Sequence, residues 1–233
     1  MNHSHIFHEI DNAMGTLKEK ILLMASLTRQ NLERSVQALL TRDLDLARMV
    51  IGDDSEVDEL EVKIDALGMD ILVRYHPVAS DLRHVITSMK ICHNLERISD
   101  HAVNIAKRAK KICKSSEAVE TTMIEPLYTM AEKLLRDAML AYTDHNTSLG
   151  EGLKTGDEEL DAAHKQVIAL LSGRLENAGT RAENLLHLIF VARSLERIGD
   201  LAVNIGEDSV FLSEARDIRH EHRKPAEPGE AQA

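Results

Sequence analysis

The chain has 233 residues, 43% of them apolar and 29% charged, with a formal net charge of −11 at pH 7. That charge argues against nucleic-acid binding as the main task, and three Tyr, three Phe and no Trp leave no stacking platform for single strands. No apolar run approaches the roughly 18 residues of a membrane span, and the polar start Met1-Asn2-His3-Ser4-His5 lacks a signal-peptide core, so a cytoplasmic location is the expectation.

Strand formers are sparse and strong helix formers dominate, which points to an all-α protein. The first helix is expected from about Ile6 to Leu40, with Ile10, Met14, Leu17, Ile21, Met24, Leu32, Val36 and Leu39 along its apolar stripe. His3, His5 and His8 read as a flexible, tag-like segment. A second helix spans about Asp45 to Tyr75, where Val57, Leu60, Ile64, Leu67 and Ile71 keep the 3-4-3-4 spacing of a bundle seam. Gly52 and Gly68 interrupt it as weak points.

His76-Pro77-Val78-Ala79-Ser80 punctuates the chain, with Ser80 the expected cap of a third helix running from Asp81 to about Cys113. Cys92 and Cys113 fall 21 residues apart on that helix and cannot pair, and Cys92 reads as a small buried hydrophobe. The helix ends in Lys107, Arg108, Lys110, Lys111 and Lys114. These cations either complement the helix dipole or form a basic docking face for an acidic partner or membrane. A fourth helix is expected over about Thr122–Thr143, a fifth over Asn146–Asn177 and a sixth to about Phe211. Short connections imply two antiparallel three-helix bundles, residues 1–116 and 117–214, with a disordered tail over 215–233. The eight methionines Met14, Met24, Met49, Met69, Met89, Met123, Met130 and Met139 are expected in the core.

The chain repeats itself. Leu95-Glu96-Arg97-Ile98-Ser99-Asp100-His101-Ala102-Val103-Asn104-Ile105 returns 100 residues later as Leu195-Glu196-Arg197-Ile198-Gly199-Asp200-Leu201-Ala202-Val203-Asn204-Ile205, with nine of eleven positions identical. At helical spacing Glu96, Asp100 and Asn104 share one face, as do Glu196, Asp200 and Asn204. Leu95, Ile98 and Ile105, and their counterparts Leu195, Ile198 and Ile205, form the buried seam beside them.

A second acidic pair precedes each repeat: Asp54 and Asp58, then Asp157 and Asp161. Folding helices two and three about residues 78–79 brings Asp54 level with about residue 103 and Asp58 with about residue 99. Folding the second hairpin about Gly179 brings Asp157 level with 201 and Asp161 with 197. Four carboxylates and an amide therefore converge in each half. Two like charges at 4 Å repel by about 4 kcal/mol at an effective dielectric near 20, so a cation, protons or a metal ion must offset them. Arg97 and Arg197 adjoin each face but leave their helix about 100° away from it. An all-oxygen set disfavours tetrahedral zinc and favours Mg²⁺, Mn²⁺, Ca²⁺ or iron. His93 and His101 have no counterparts in the second half, where Arg193 and Leu201 stand, and are poor candidates for a shared ligand set.

The duplicated Leu-Glu-Arg-Ile-Ser/Gly-Asp-x-Ala-Val-Asn-Ile resembles the signature of the PhoU family of phosphate-uptake regulators. Pro77-Val78-Ala79-Ser80-Asp81-Leu82-Arg83 is similar to the family's Pro-x-Ala-x-Asp-Leu-Arg segment; the second half has Arg181-Ala182-Glu183 instead, which confines the roles of Asp81 and Arg83 to the first half. The resemblance covers about residues 7–212 and implies two bundles related by a pseudo-twofold. It implies metal clusters, often iron or zinc, on Asp54/Asp58, Glu96/Asp100, Asp157/Asp161 and Glu196/Asp200. It further implies a non-enzymatic regulator that restrains phosphate uptake, with two partners: the ATPase of a phosphate-specific ABC transporter and the phosphate-responsive sensor histidine kinase. With the long bundle faces, it points to a homodimer and to peripheral association with the membrane complex. The chain shows no P-loop, nucleophile elbow or Gly-rich dinucleotide turn. Two alternatives remain: a ferritin-like carboxylate-bridged di-metal enzyme, opposed by the lack of any Glu-x-x-His, and a metal-free helical adaptor.

Overall fold

The computed structural model describes residues 3–117, 119–176 and 178–219, with side chains from His8 onward. Among these residues there is no strand. Six helices follow in order: α1 His3–Thr41, α2 Leu44–Tyr75, α3 Ala79–Lys114, α4 Glu125–Asp144, α5 Thr147–Leu175 and α6 Ala182–Glu214. Short 3-10 turns, Thr122–Ile124 and Gly179–Arg181, lead into α4 and α6. The first three helices form one antiparallel bundle and the last three another. No helix among the described residues is long and apolar enough to cross a membrane.

Local chemistry sets most boundaries. Asp43 Oδ1 caps α2 by accepting from the amides of Asp45 and Leu46, both at 2.9 Å. Asn146 does the same for α5 through the amide of Leu149 at 3.0 Å. Pro126 sits in the first turn of α4, where its missing N–H costs nothing. The turn between α2 and α3 departs from expectation: His76 ends α2 in the left-handed region, with φ 46° and ψ 54°. Val78, not Ser80, occupies the N-cap of α3 and makes no side-chain cap.

Three further expectations need correction. The segment from His3 belongs to α1 rather than to a flexible tag. Met49 and Met69 are about half exposed, so only the other six methionines are buried or packed on the core. Residues 215–219 lie within the segment read as disordered, yet Arg216 forms ion pairs with Glu214 and, on α5, Glu151. Residues 220–233 lie outside the described residues.

The seam is buried as its spacing predicts. Leu95, Ile98, Ile105, Leu195, Ile198 and Ile205 are all completely inaccessible. Cys92 is equally buried, which pushes its thiol up to about 12 and leaves it inert. The apolar core runs without a break through both bundles, because α3 packs against α6. Lys90 Nζ on α3 lies 3.1 Å from Asp208 Oδ1 on α6. Toward the other end, the Arg108 guanidinium stands 4.3 Å over the Phe190 ring. Adding or subtracting 100 turns the first residue pair into the second. Antiparallel α3 and α6 are therefore exchanged by an internal pseudo-twofold.

Candidate metal centre

Tyr75 ends α2 and Ala79 begins α3, so that hairpin folds about residue 77 rather than 78–79. The difference is small in the turn but shifts the facing positions by about three residues, most of a helical turn. Asp54 therefore comes level with residue 100 and Asp58 with residue 96. Ser99 Oγ, indeed, donates to Asp54 Oδ1 at 3.3 Å. In the second hairpin the midpoint between Leu175 and Ala182 brings Asp157 level with residue 200, one residue from expectation, and a Cβ placed on the neighbouring Gly199 would lie 3.4 Å from Asp157 Oδ1.

The carboxylates gather as charge neighbours in each half. In the first, burial raises the proton affinity of Asp54, and the nearby Asp58 and Asp100 raise it further. Burial, followed by Asp100, Glu61 and Asp58, pushes Glu96 up to about 7, with His93 opposing. In the second, burial, followed by Asp200, Asp161 and Glu196, pushes Asp157 up to about 6 against the pull of Lys154. Glu196 is raised by burial and by Asp200 and Asp161, with Arg197 and His164 opposing. Burial first, and the crowding of like charges second, therefore favours the protonated form in each set.

The two asparagines behave differently. Asn204 lines a cavity with Asp157 and Asp200. Asn104 lines a groove with Lys107, Arg108, Lys110, Lys111 and Lys114 and with none of the first carboxylates.

Three side chains lay outside the expected ligand sets. The corrected register places Glu61 opposite His93, whose Nδ1 lies 3.5 Å from Glu61 Oε1. Glu61, His93 and Glu96 each offer one ligand atom, and these atoms all lie within 4.8 Å of one another. The signal was available: His93 precedes Glu96 by three residues and shares its face. In the second half, aligning Asp157 with Asp54 puts His164 at the position of Glu61. His164 Nε2 is buried without a hydrogen-bond partner among the described residues, and Glu196 Oε2, equally buried, has the Arg197 ion pair at 3.4 Å but no hydrogen bond there. The donor sets therefore mix nitrogen with oxygen, and they fit a borderline divalent ion better than a strictly hard one.

The arginines also differ. Arg197 reaches around its helix to Asp200 Oδ2 at 2.9 Å and Glu196 Oε2 at 3.4 Å. Arg97 makes no ion pair among the described residues. The second set therefore carries an ion-paired arginine, whereas the first has His93 beside Glu61 and, at longer range, Lys107 acting on Asp54.

Residues 21–109 and 124–209 match the PhoU domain. The chain is 32% identical over 216 residues to a Zymomonas mobilis phosphate-specific transport system accessory protein PhoU homolog, covering 92% of this chain and 90% of that one. It is 30% identical over 217 residues to the Pseudomonas aeruginosa homolog of the same description, covering 93% and 90%. The crystal structure of PhoU from Pseudomonas aeruginosa superposes with a TM-score of 0.85 at 28% identity, over 88% of this chain and 99% of that one. The phosphate transport system regulatory protein PhoU from Streptococcus pneumoniae shares the fold, with a TM-score of 0.82 at 24% identity. Two matched copies of the domain, one on each three-helix bundle, make this chain a member of the PhoU family.

Proposed function

We propose that the protein is a non-catalytic, cytoplasmic regulator that restrains phosphate uptake. It acts on the ATPase of a phosphate-specific ABC transporter and on the sensor histidine kinase that reports phosphate starvation. The observation that carries this reading is the pair of carboxylate faces, one per bundle, in a chain whose relatives are described as phosphate-specific transport system accessory proteins. Metal ions offset the charge on those faces. Asp54, Asp58, Glu61, His93, Glu96 and Asp100 would hold them in the first bundle, and Asp157, Asp161, His164, Glu196 and Asp200 in the second. The mixed donor set favours iron, zinc or manganese over magnesium. Such ions would supply structural charge compensation rather than chemistry on a substrate. The protein associates as a homodimer, most simply with closed twofold symmetry.

The test is a pull-down of the tagged protein from membranes of cells grown at high and at low phosphate. Recovery of the transporter ATPase and the kinase, in amounts that change with phosphate, is the expected result. Recovery of neither under both conditions overturns the regulatory reading.

A further inference from the structure

The last turns of α3 carry a charge that their twin does not. Lys107, Arg108, Lys110, Lys111 and Lys114 correspond, 100 residues on, to Glu207, Asp208, Val210, Phe211 and Glu214. A helix dipole favours cations at any C-terminus, yet α6 has no basic residue in its last turn. The dipole does not account for a difference between two copies of one helix. Lys107/Lys111 and Lys110/Lys114 are moreover like-charge pairs at i,i+4, which disfavour the helix that holds them.

The cations belong to a groove. Lys107, Arg108, Lys110, Lys111 and Lys114 line a cavity of about 510 Å³ together with Asn104 and, from α2, Ile51. Ile51 rests on a small apolar cluster of its own, Val50, Val103 and Ala106, and forms an aliphatic floor. Lys107, Lys110, Lys111 and Lys114 recur at helical spacing, so they form one row about 10 Å long. Among the described residues none of these four lysines makes an ion pair. Arg108 is fixed beside the row by Phe190 and by His187, whose Nδ1 lies 3.5 Å from its Nη1. Phe190 and Leu186, one turn apart on α6, are each 45% exposed. A row of cations with no ion-pair partner among the described residues thus runs beside an aliphatic floor and an exposed apolar pair.

We propose that this groove docks an acidic, amphipathic segment of a partner protein, its carboxylates on the lysine row and its apolar side chains over Ile51 and Phe190. The concave shape decides between occupants. A flat anionic membrane would reach the exposed Lys107 and Lys111 but leave Ile51 uncovered, whereas a peptide side chain can enter. In the pseudo-symmetric groove Lys154 replaces Ile51 and Glu207 replaces Lys107, and Asp157, Asp200 and Glu207 stand among the cations Arg97, Lys154, Arg197 and Arg219, so the second bundle offers no uninterrupted row of cations beside an Ile51-like floor. The proposal rests on charge and shape, and it stands whichever membrane complex the protein serves.

The experiment measures anisotropy of a fluorescein-labelled peptide of Glu-Glu-Leu repeats on the full chain, with phosphatidylglycerol vesicles and inorganic phosphate as competing probes. Binding should weaken with added salt. Lys107→Glu with Lys111→Glu should weaken it about tenfold or more, and Ile51→Ser should weaken it severalfold. Lys63→Glu with Lys165→Glu, the same change in net charge elsewhere on the surface, should leave it unaltered. Equal loss in that control overturns the site, as does an Ile51→Ser variant that binds normally. Strong vesicle binding without peptide binding, or complete displacement by inorganic phosphate, assigns the groove to another class of anion and overturns the proposal equally.

Discussion

Ser99 on α3 donates a hydrogen bond to Asp54 on α2 across 3.3 Å, and its twin position, Gly199, can offer none to Asp157. Ser99 also accepts from the buried amide of Asn31 on α1 at 3.4 Å. One hydroxyl therefore links all three helices of the first bundle to a carboxylate of the candidate metal centre. In the second bundle a Cβ at position 199 would meet Leu160 Cδ2 at 2.4 Å. The closer approach of α5 and α6 replaces the polar link with packing.

Ser99→Ala should cost about 1–3 kcal/mol, because it strands the Asn31 amide in the core and removes a charge-assisted bond. The hydrogen bond lowers the proton affinity of Asp54, so the variant should also titrate Asp54 at higher pH. Urea unfolding and carboxyl carbon NMR in chelator measure the two effects. An unmoved Asp54 titration would show that the hydroxyl does not face the carboxylate in solution.

The glycines on the helices separate in the same way. A Cβ on Gly206 would lie 2.2 Å from Leu153 Cδ1 and 3.1 Å from the Gly150 carbonyl oxygen, which is backbone and cannot swing aside. Gly206→Ala should cost about 1–3 kcal/mol through this overpacking. Gly52, with nothing within 4 Å of its Cβ position, is a helix glycine with no packing reason. Gly52→Ala should stabilise by about 0.5–1 kcal/mol. Thermal unfolding of the two variants reads the opposite signs, and a stabilising Gly206→Ala would mean that α5 and α6 stand further apart.

The helices, their buried faces and the gathering of carboxylates were all legible in the sequence, because 3.6-residue periodicity reports which face of a helix is buried. It does not report how far one helix slides along its neighbour. That distance was set by His76 and Ala79, both in the left-handed region with φ 46° and 48°, where the sequence suggested an ordinary extended turn and a serine cap. The error of about three residues hid Glu61 opposite His93. Side-chain reach was equally invisible: Arg197 was placed off the acidic face by helix rotation, yet its long stem curls back to Glu196 and Asp200. The crossing of α3 over α6, which creates the pseudo-twofold, depends on contacts such as Arg108–His187 and Lys90–Asp208, 79 and 118 residues apart, and left no local pattern.

The raised carboxylates fix a pH dependence for the metal-free protein. Glu96 moves from an ordinary 4.5 to about 7, and Asp157 from 3.8 to about 6. Between each pair of values the folded chain binds a proton that the unfolded chain has released, so stability falls as pH rises. The loss begins near pH 4 and is complete just above pH 7. Both groups are partly exposed, and solvent screening limits the size of the effect. Unfolding temperatures in chelator should decline from pH 4.5 to 7 and then level off. Glu96→Gln should flatten the upper part of that decline; an unchanged slope in the variant would place Glu96 in water.

Neutralising one carboxylate on each face separates a metal centre from ordinary surface charge. Among the described residues Asp100 has no cation within ion-pair distance, so Asp100→Asn relieves repulsion on Glu96 and Asp54 and should stabilise the metal-free protein by roughly 0.5 kcal/mol. Asp200 is held by Arg197 at 2.9 Å. Asp200→Asn removes repulsion and an attraction together, and should leave the metal-free protein within about 0.5 kcal/mol of wild type or slightly destabilised. If the faces hold metal, both variants should lose bound ion, and both should lose the gap between unfolding temperatures with and without chelator. His93→Ala should reduce metal content in the first bundle alone, because Arg193 occupies the matching position in the second. Elemental analysis after chelator-free purification, with calorimetry on the same samples, measures every arm. If a variant carrying both Asp100→Asn and Asp200→Asn keeps its metal and wild-type unfolding ignores chelator, the acidic faces are surface charge balanced by His93, Lys107, Arg197 and protons.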